Sequence, residues 1–582
     1  MKVFIRGQGE VTLTQQHFVA TGGQASVYVR DGIAYKVYTE QKDVIPEDKF
    51  KALAAISDPC VIRPSQMLLD GKKQRIGFTM DAVADNLSLC QLFTKAFRDR
   101  NHVTNDQIVD VAGTLRAHVG NVHSAGIVIV DLNELNILVS KAIDQTFLID
   151  VDSYQTAAYP ATVIMPSVRD WSAKQFTELS DWFSYAVLAF QLFVGVHPYK
   201  GTHAQSAGID KDKRLEHRMR NNISAFRGDV SLPKCCYPFD AIPTVFRDWL
   251  KAVLDDGKRV APPDPKGGPV AVIVTQARAI VSTGKLAIVE YIGYEGWEVS
   301  DWVETVGNLA LVRRDGESRV VRNGAHVQRI RGTTVDATLS RGQTLLGFTP
   351  KYDTPVALNL HEGQLTLVDF AAGLAEPLGM RADELMRTDG RFYIRNGTRV
   401  LEVEFYEVVR GKVTVIASHS VADVLENASR LYEGCAIQSM LGSVFVSLFP
   451  RPRAGYQIRI PELDSYKVVD AKFSAGGVLM VVGAKNGKYD RLVFRFDDEF
   501  TSYDLRTVAD ITPTGINFVT LGTGICVSLT EEETLEAFPT RKGAAGLRVV
   551  EDSALGNDLR LLSVAGKAGF IRGDKVYTVG LK

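Results

Sequence analysis

Hydrophobic and polar positions follow two different patterns along the chain, and the change falls near residue 260. Before it, residues 3–38 alternate in the way that is typical of β-strands, whereas residues 46–56 and 105–126 carry apolar residues at helical spacing. The most apolar window, residues 182–196, is too short to cross a bilayer and therefore predicts a buried helix. This first part predicts a mixed α+β domain.

Beyond residue 270 the pattern becomes nearly all β, with short apolar runs separated by Gly, Asp and Asn turns. Seven similar units recur at a mean spacing of roughly 40 residues, the range of a four-stranded propeller blade. Radial closure would also remove exposed sheet edges. The alternatives are a large sandwich or two small β-domains. The units are 307–324, 342–363, 390–405, 442–460, 476–496, 515–529 and 559–581.

The length of 582 residues is too great for one hydrophobic core. The segment "APPDPKGGP" (261–269) is rich in Pro and Gly, as linkers are. We therefore expect an α+β domain over residues 1–260, a linker over 261–271 and a β-propeller of about seven blades over 272–582. The fold class is multidomain.

The composition limits the partners. The net charge of −1 provides no basic face for nucleic acid. The N-terminus lacks the apolar core of a signal peptide, and no membrane association is expected. The six cysteines form no C-x-x-C pair, which makes a zinc site improbable and favours free thiols in a reducing cytoplasm. The oligomeric state stays undetermined.

The stretch "FVATGGQASVYVRDGIAYKVY" (18–38) predicts two strands entered through a Gly-rich bend. Gly22 and Gly23 can bring backbone N–H groups close to a phosphate. Val27 and Ala34 would cover a flat ring, and Lys36 would point to the same side as Ala34 because strand side chains alternate. Taken alone, the pattern also fits an ordinary hairpin.

The stretch "IVIVDLNELNILV" (127–139) places Asp131 and Asn136 between two apolar runs that we interpret as buried strands. "FLIDVDSYQ" (147–155) adds Asp150 and Asp152. Carboxylate and amide oxygens are the ligands that Mg²⁺ prefers. The alternative is a polar turn between two strands.

Taken together and in order, these motifs resemble the protein kinase fold over about residues 13–260. The closest resemblance is to a divergent bacterial branch, in which the corresponding segments are D-x-N-x-x-N, D-x-D-S-F-Q and G-x-H-P-F-x-G. The matching segments here are "DLNELN" (131–136), "DVDSYQ" (150–155) and "GVHPYKG" (195–201).

The resemblance implies ATP and Mg²⁺ as cofactors, with Mn²⁺ as an alternative metal. Lys36 stands at the lysine that holds the α- and β-phosphates, and Asp131 at the catalytic-loop Asp. Asn133, the third residue of the implied catalytic set, stands where the family has a lysine, so one positive charge near the γ-phosphate is missing. The implied metal ligands are Asn136 and Asp150, with Asp152 as a third candidate.

The rest of the implied site comprises the nucleotide pocket and its supports. The implied ATP-binding residues are Gly22, Gly23, Val27, Ala34, Lys36, Met80, Asp81 and Val83. Glu47 is the candidate helix partner of Lys36, although counting back from "SDPCVI" puts Lys49 at that position. Asp181 matches the Asp that braces the catalytic loop, and Arg259 the Arg near the end of the large lobe.

Two departures from the family pattern affect regulation. Ile129-Val130 replaces the usual His-Arg, so a phosphorylated activation loop has no arginine to dock on. Ser167 replaces the Glu that normally pairs with the large-lobe Arg, so we expect Arg259 to lack that partner.

The expected function is ATP- and Mg²⁺-dependent Ser/Thr protein phosphorylation, in which the propeller recruits the protein substrate or a partner. The alternatives are a pseudokinase scaffold that binds ATP or a partner without phosphoryl transfer, a small-molecule phosphotransferase, and transfer of AMP to protein.

Overall fold

The computed structural model is mostly β, with 43% of the chain in strands and 18% in helices, and it contains several sheets, one of them curled into a half-barrel. It describes residues 1–6, 9–101, 103–161, 163–233, 235–267, 284–304, 308–314, 317–322, 325–326, 338–339, 341–351, 353–370, 372–409 and 412–581. The end of the predicted linker and the predicted start of the second domain lie outside these ranges.

The chain begins with a seven-stranded antiparallel sheet in the order β2-β1-β6-β7-β5-β4-β3. The alternating pattern of residues 3–38 predicted strands, which is confirmed, although the stretch 18–38 forms three strands where two were expected. Its strands are β1 (Lys2–Ile5), β2 (Gly9–Thr12), β3 (Phe18–Thr21), β4 (Ala25–Arg30), β5 (Ile33–Tyr38), β6 (Gln66–Leu69) and β7 (Arg75–Asp81).

In the described ranges up to residue 267, six α-helices follow or interrupt this sheet: α1 (Glu47–Ala54), α2 (Lys95–Asn101), α3 (Asn105–Ser124), α4 (Glu178–Val194), α5 (Lys211–Arg220) and α6 (Thr244–Leu254). The helices predicted over 46–56, 105–126 and 182–196 are confirmed as α1, α3 and α4. Helix α4 is buried along almost its whole length and packs against α3 and α6. A small antiparallel sheet lies beside them, formed by β8 (Asn86–Ser88), β9 (Ile137–Ser140) and β10 (Thr146–Leu148).

One strand prediction in this region is wrong. Residues 127–130 form no strand, only an isolated bridge between Val128 and Gln155. The N–H groups of Ile129 and Val130 donate instead to the buried carboxylate of Asp181, and Val130 has a positive φ of 68°. The apolar run is therefore a buried loop held by a side chain.

The strands described from residue 286 onwards form seven four-stranded antiparallel sheets, and each predicted unit supplies a hairpin to a different sheet. In the first sheet, β11 (Leu286–Gly293) pairs with the last strand. The strands of the next three sheets are β12 (Glu298–Val303), β13 (Leu309–Arg314), β14 (Glu317–Arg322), β15 (Ala325–His326), β16 (Gln343–Phe348), β17 (Pro355–His361), β18 (Gln364–Asp369), β19 (Leu374–Arg381), β20 (Glu384–Thr388), β21 (Arg391–Asn396), β22 (Arg399–Val409) and β23 (Lys412–Asp423).

The remaining strands complete the later sheets and return to the first. They are β24 (Ser429–Tyr432), β25 (Cys435–Met440), β26 (Ser443–Arg451), β27 (Ala454–Arg459), β28 (Lys467–Ser474), β29 (Val478–Lys485), β30 (Lys488–Phe496), β31 (Tyr503–Val508), β32 (Phe518–Leu521), β33 (Ile525–Leu529), β34 (Thr534–Pro539), β35 (Arg548–Glu551), β36 (Arg560–Val564), β37 (Lys567–Arg572) and β38 (Lys575–Leu581). Because β38 pairs with β11, one sheet joins the two ends of this region.

A repeated polar contact links neighbouring sheets. A carboxylate or amide oxygen on, or just before, an edge strand of one sheet accepts the N–H of a residue on, or just before, an edge strand of the next. The pairs are Asp301 with Leu346, Glu384 with Leu431, Asp470 with Ile516, and Asn517 with Leu561. Each bond pairs a backbone donor that would otherwise be left unpaired at a sheet junction.

The β-rich region is packed against the helical region. Val469, Val482, Ala484, Tyr489 and Ile511 belong to the same hydrophobic cluster as helices α3, α4 and α6. Ion pairs join the two regions at Arg100–Asp470 (2.8 Å) and Lys200–Asp510 (2.6 Å). In the described part of the chain, no helix has the length and apolar character needed to cross a membrane.

Candidate functional site

Asp181 holds the backbone that leads into the loop of residues 131–136. This residue lies in the first turn of α4 and is completely buried. Its carboxylate accepts the N–H groups of Ile129 (2.7 Å) and Val130 (2.8 Å) and is hydrogen-bonded to Nε2 of His123 (2.8 Å). Two of these bonds hold the backbone that leads to Asp131, and the third ties the carboxylate to helix α3.

Asn133 and Asn136 shape the same loop. Oδ1 of Asn133 accepts the N–H groups of Leu135 and Asn136. Nδ2 of Asn136 donates to the backbone oxygen of Asp131 (3.1 Å), and the Ile149 N–H donates to the backbone oxygen of Asn136 (3.0 Å). Asp131, Asn136 and Asp150 are thereby drawn together, whereas the buried Asn133 acts within the loop.

The carboxylate of Asp131 is in contact with a segment that the sequence analysis did not associate with it. Oδ1 of Asp131 accepts the backbone N–H of Met165 at 2.8 Å. Burial raises the pKa of Asp131, and the hydrogen bond from Met165 lowers it by a smaller amount. In this structure the segment around Met165 lies directly against the candidate catalytic carboxylate.

Lys36 meets both aspartates of the "DVDSYQ" segment. Its Nζ lies 2.6 Å from Oδ1 of Asp150 and 2.6 Å from Oδ1 of Asp152. The second oxygen of Asp152 accepts the hydroxyl of Tyr38. The aspartates hold the pKa of Lys36 above its usual value despite burial, and Lys36 in turn helps to lower the pKa of Asp152 against the effect of burial.

The prediction that Glu47 faces Lys36 is wrong. Glu47 is the first residue of α1, its side chain is 44% exposed, and it pairs with Lys51 (3.2 Å) and Arg6 (3.9 Å). The residue of α1 that faces the cluster is Lys49, which is buried near Asp150 and Asp152 and whose pKa is lowered by burial. The helix register that exposes Glu47 turns Lys49 inwards.

The other implied ATP-binding residues lie on or beside three strands. Lys36 on β5 is directly opposite Val27 on β4, and Ala34 is opposite Met80 on β7. Asp81 ends β7 and is exposed, with half-buried Val83 two residues further on. Gly22 and Gly23 form the turn between β3 and β4, where the Gly22 N–H donates to the Ala25 oxygen (2.8 Å). That bond engages one of the two predicted phosphate donors within the turn.

Arg259 is not paired with Ser167, the position of its usual partner, but it has another carboxylate as its partner. Its guanidinium makes two bonds to the buried carboxylate of Asp170, with Nε to Oδ2 at 2.6 Å and Nη2 to Oδ1 at 2.8 Å. Asp170 lies three residues beyond Ser167, so the turn after Ser167 supplies the carboxylate at a shifted position. The guanidinium also lies 4.6 Å from the centre of the Phe183 ring.

A separate cluster of Asp58, Cys60 and His118 brings three potential metal-ligating atoms within 4.8 Å of one another. The Asp58 carboxylate already accepts the Cys60 N–H and the Asn121 amide and is hydrogen-bonded to His118 Nδ1 (2.7 Å). These bonds fasten the loop after α1 to helix α3. All six cysteines are free thiols.

Comparison with models of known protein families finds no match, and comparison with characterised proteins finds no significant similarity. The interpretation of the site therefore depends on the positions and contacts of its own residues.

Three contributors were missed by reasoning from the sequence: Tyr38, Met165 and Asp170. Tyr38 carried a usable signal, because it lies two residues after Lys36 and so shares its face of the strand. Met165 and Asp170 carried none, because their contacts depend on how a loop without regular structure returns to the site.

Proposed function

We propose that residues 1–260 form a protein kinase-like domain that transfers the γ-phosphate of ATP to a protein hydroxyl without requiring phosphorylation of its own loop, and that residues 272–582 form a seven-bladed β-propeller. The convergence of four polar side chains is the observation that carries the proposal. Lys36 contacts Asp150, the backbone beside Asp150 is bonded to Asn136, and Asn136 is bonded to Asp131.

The donor set fits Mg²⁺, which prefers hard oxygen ligands. Asp150 and Asn136 would hold the ion, and it would screen the charge of the phosphates. Asp131 would orient the acceptor hydroxyl and take its proton, and Lys36 would bind the α- and β-phosphates. Phosphoryl transfer depends mainly on positioning and charge stabilisation, which this small set can supply.

The seven four-stranded sheets support the propeller. The sheet that joins the first and last strands of the region, together with the bonds between neighbouring sheets, is what a closed ring requires. Closure leaves only short, protected edges. We infer that the outer face of the ring recruits the protein substrate or a regulatory partner.

Incubation of the full-length chain with γ-labelled ATP and Mg²⁺ tests the activity, with candidate proteins as acceptors. Asp131→Asn should lower incorporation at least about 100-fold, because the general base is lost. Asp106→Asn is the matched control, since Asp106 is an exposed residue in the first turn of α3. Equal labelling by the wild type and Asp131→Asn would refute the assignment.

A pseudokinase is the second candidate, and a specific observation favours it. The backbone of Met165 occupies an oxygen of Asp131, and Lys36 occupies an oxygen of Asp150. A chain that incorporates no label but whose melting temperature rises with ATP would establish this alternative.

A further inference from the structure

The two carboxylates that hold Lys36 have very different surroundings. The side chain of Asp150 is 40% exposed, whereas that of Asp152 is 9% exposed. Oδ2 of Asp152 also accepts the Tyr38 hydroxyl, so both of its oxygens are engaged by strand β5. A charge-assisted hydrogen bond is stronger when it is shielded from water.

The surroundings of Asp152 fix its position. It lies in the single helical turn Val151–Ser153, where a shift would disturb the buried Val151. Tyr38 is buried and packs edge-on against Phe78, with 6.1 Å between the ring centres. The ammonium of Lys36 lies 5.8 Å from the Tyr38 ring and 6.0 Å from the Phe78 ring. Two aromatic rings and a carboxylate therefore confine the lysine head group.

We propose that Asp152, oriented by Tyr38, is the positioning residue that holds Lys36 for the nucleotide phosphates, and that it leaves Asp150 for the metal. Helix α1 supplies no carboxylate for this purpose, because Glu47 pairs with Lys51 and Lys49 faces the cluster. The carboxylates that hold Lys36 therefore come from the segment after β10 and not from α1. This inference rests on the proposed function and changes the predicted role of Asp152 from metal ligand to lysine anchor.

The test is ATP affinity, measured on the full-length chain by displacement of a fluorescent ATP analogue with Mg²⁺ in excess. Asp152→Asn should raise the Kd for ATP about 10- to 100-fold, the range expected for loss of a charge-assisted bond. Tyr38→Phe removes only the hydroxyl and should raise the Kd roughly threefold to tenfold. Asp48→Asn, an exposed change on α1, is the control and should leave the Kd unchanged.

A Mg²⁺ titration separates anchoring from metal binding. If Asp152 anchors Lys36, excess Mg²⁺ will not restore the ATP affinity that Asp152→Asn loses. The variant will also bind ATP more weakly than the wild type when EDTA removes the metal. Restoration of affinity by high Mg²⁺ would make Asp152 a metal ligand and overturn the inference. A lower melting temperature with unchanged Kd in both variants would reduce the cluster to a structural role and overturn it too.

Two outcomes distinguish this inference from the proposed function. A wild-type chain that binds ATP, with variants that bind it equally well, would overturn the inference alone. A wild-type chain that binds no ATP would overturn both. Because Tyr38→Phe is nearly isosteric, it keeps the test valid if Asp152→Asn fails to fold.

Discussion

Buried charges serve different purposes in the two regions of the molecule. In the β-rich region, Arg387 makes a bidentate pair with Asp301, which also accepts the Leu346 N–H of the next sheet. There the bidentate Arg387, and Arg560 at 4.0 Å, face one carboxylate, and these contacts join neighbouring sheets. In the helical region, Lys36 lies between two aspartates that differ in exposure. The arrangement at Asp301 is explained by its role in joining sheets. The arrangement at Lys36 brings charged groups from separate segments of the chain to one point, as is typical of functional sites.

The largest expected effect is on stability, in the β-rich region. Arg387→Ala removes the bidentate partner of buried Asp301 and leaves it only Arg560, 4.0 Å away, which should lower the free energy of unfolding by up to about 3–5 kcal/mol. Urea unfolding followed by fluorescence measures it. Arg227→Ala breaks a bidentate pair at the surface, with Asp229, and should cost little. If Arg387→Ala weakens ATP binding without lowering stability, the contrast between the two regions fails.

A glycine substitution tests how the two regions are joined. Gly487 lies in the β29–β30 turn with φ +70°, and a Cβ there would lie 2.2 Å from Ser167 Oγ. Gly487→Val should lower stability by about 1–3 kcal/mol more than the matched Gly442→Val. Gly442 has φ +81° in the β25–β26 turn, with nothing near its missing Cβ. Because both glycines have positive φ, the difference in stability between the two variants measures the steric contact with Ser167 separately from backbone strain. Equal urea midpoints would show that the turn does not contact the 165–167 segment.

The pH dependence of the free energy of unfolding tests a second contact of the 165–167 segment, the hydrogen bond between Ser167 and His197. Nε2 of His197 donates to the Ser167 oxygen, and its Nδ1 accepts the Tyr199 N–H, so the ring is held neutral. Burial lowers the pKa of His197 from 6.5 to about 3. The unfolded chain binds this proton first, so stability should fall as pH drops below 6.5, by at most about 1.4 kcal/mol per pH unit. Urea midpoints between pH 7.5 and 5 should show a shallower slope for His197→Gln; an unchanged slope would contradict the assignment.

The smallest expected effect concerns helix α1. Glu47→Gln should leave the ATP affinity within about twofold of wild type, because Glu47 faces Lys51 and solvent rather than Lys36. The same displacement assay measures it. A loss of affinity comparable to that of Asp152→Asn would restore Glu47 as the partner of Lys36 and remove the distinction drawn between Asp150 and Asp152.

Local periodicity was sufficient for much of the fold. The spacing of apolar residues predicted α1, α3 and α4, and the Gly-punctuated runs predicted a hairpin in each of the seven sheets. These elements depend on contacts within a few residues or between adjacent strands. The run at 127–130 failed because a single distant carboxylate, that of Asp181, took the backbone donors that a strand would have used.

The amino-acid order by itself determined which polar residues were candidates for one site, and the alternation of strand side chains implied that Tyr38 shares a face with Lys36. Only the tertiary structure decided the partners: Asp152 in place of Glu47, Asp170 in place of Ser167, and the Met165 backbone against Asp131. The physical reason is that these contacts join segments far apart in the chain. Their geometry depends on helix register and loop path, which local propensity does not encode.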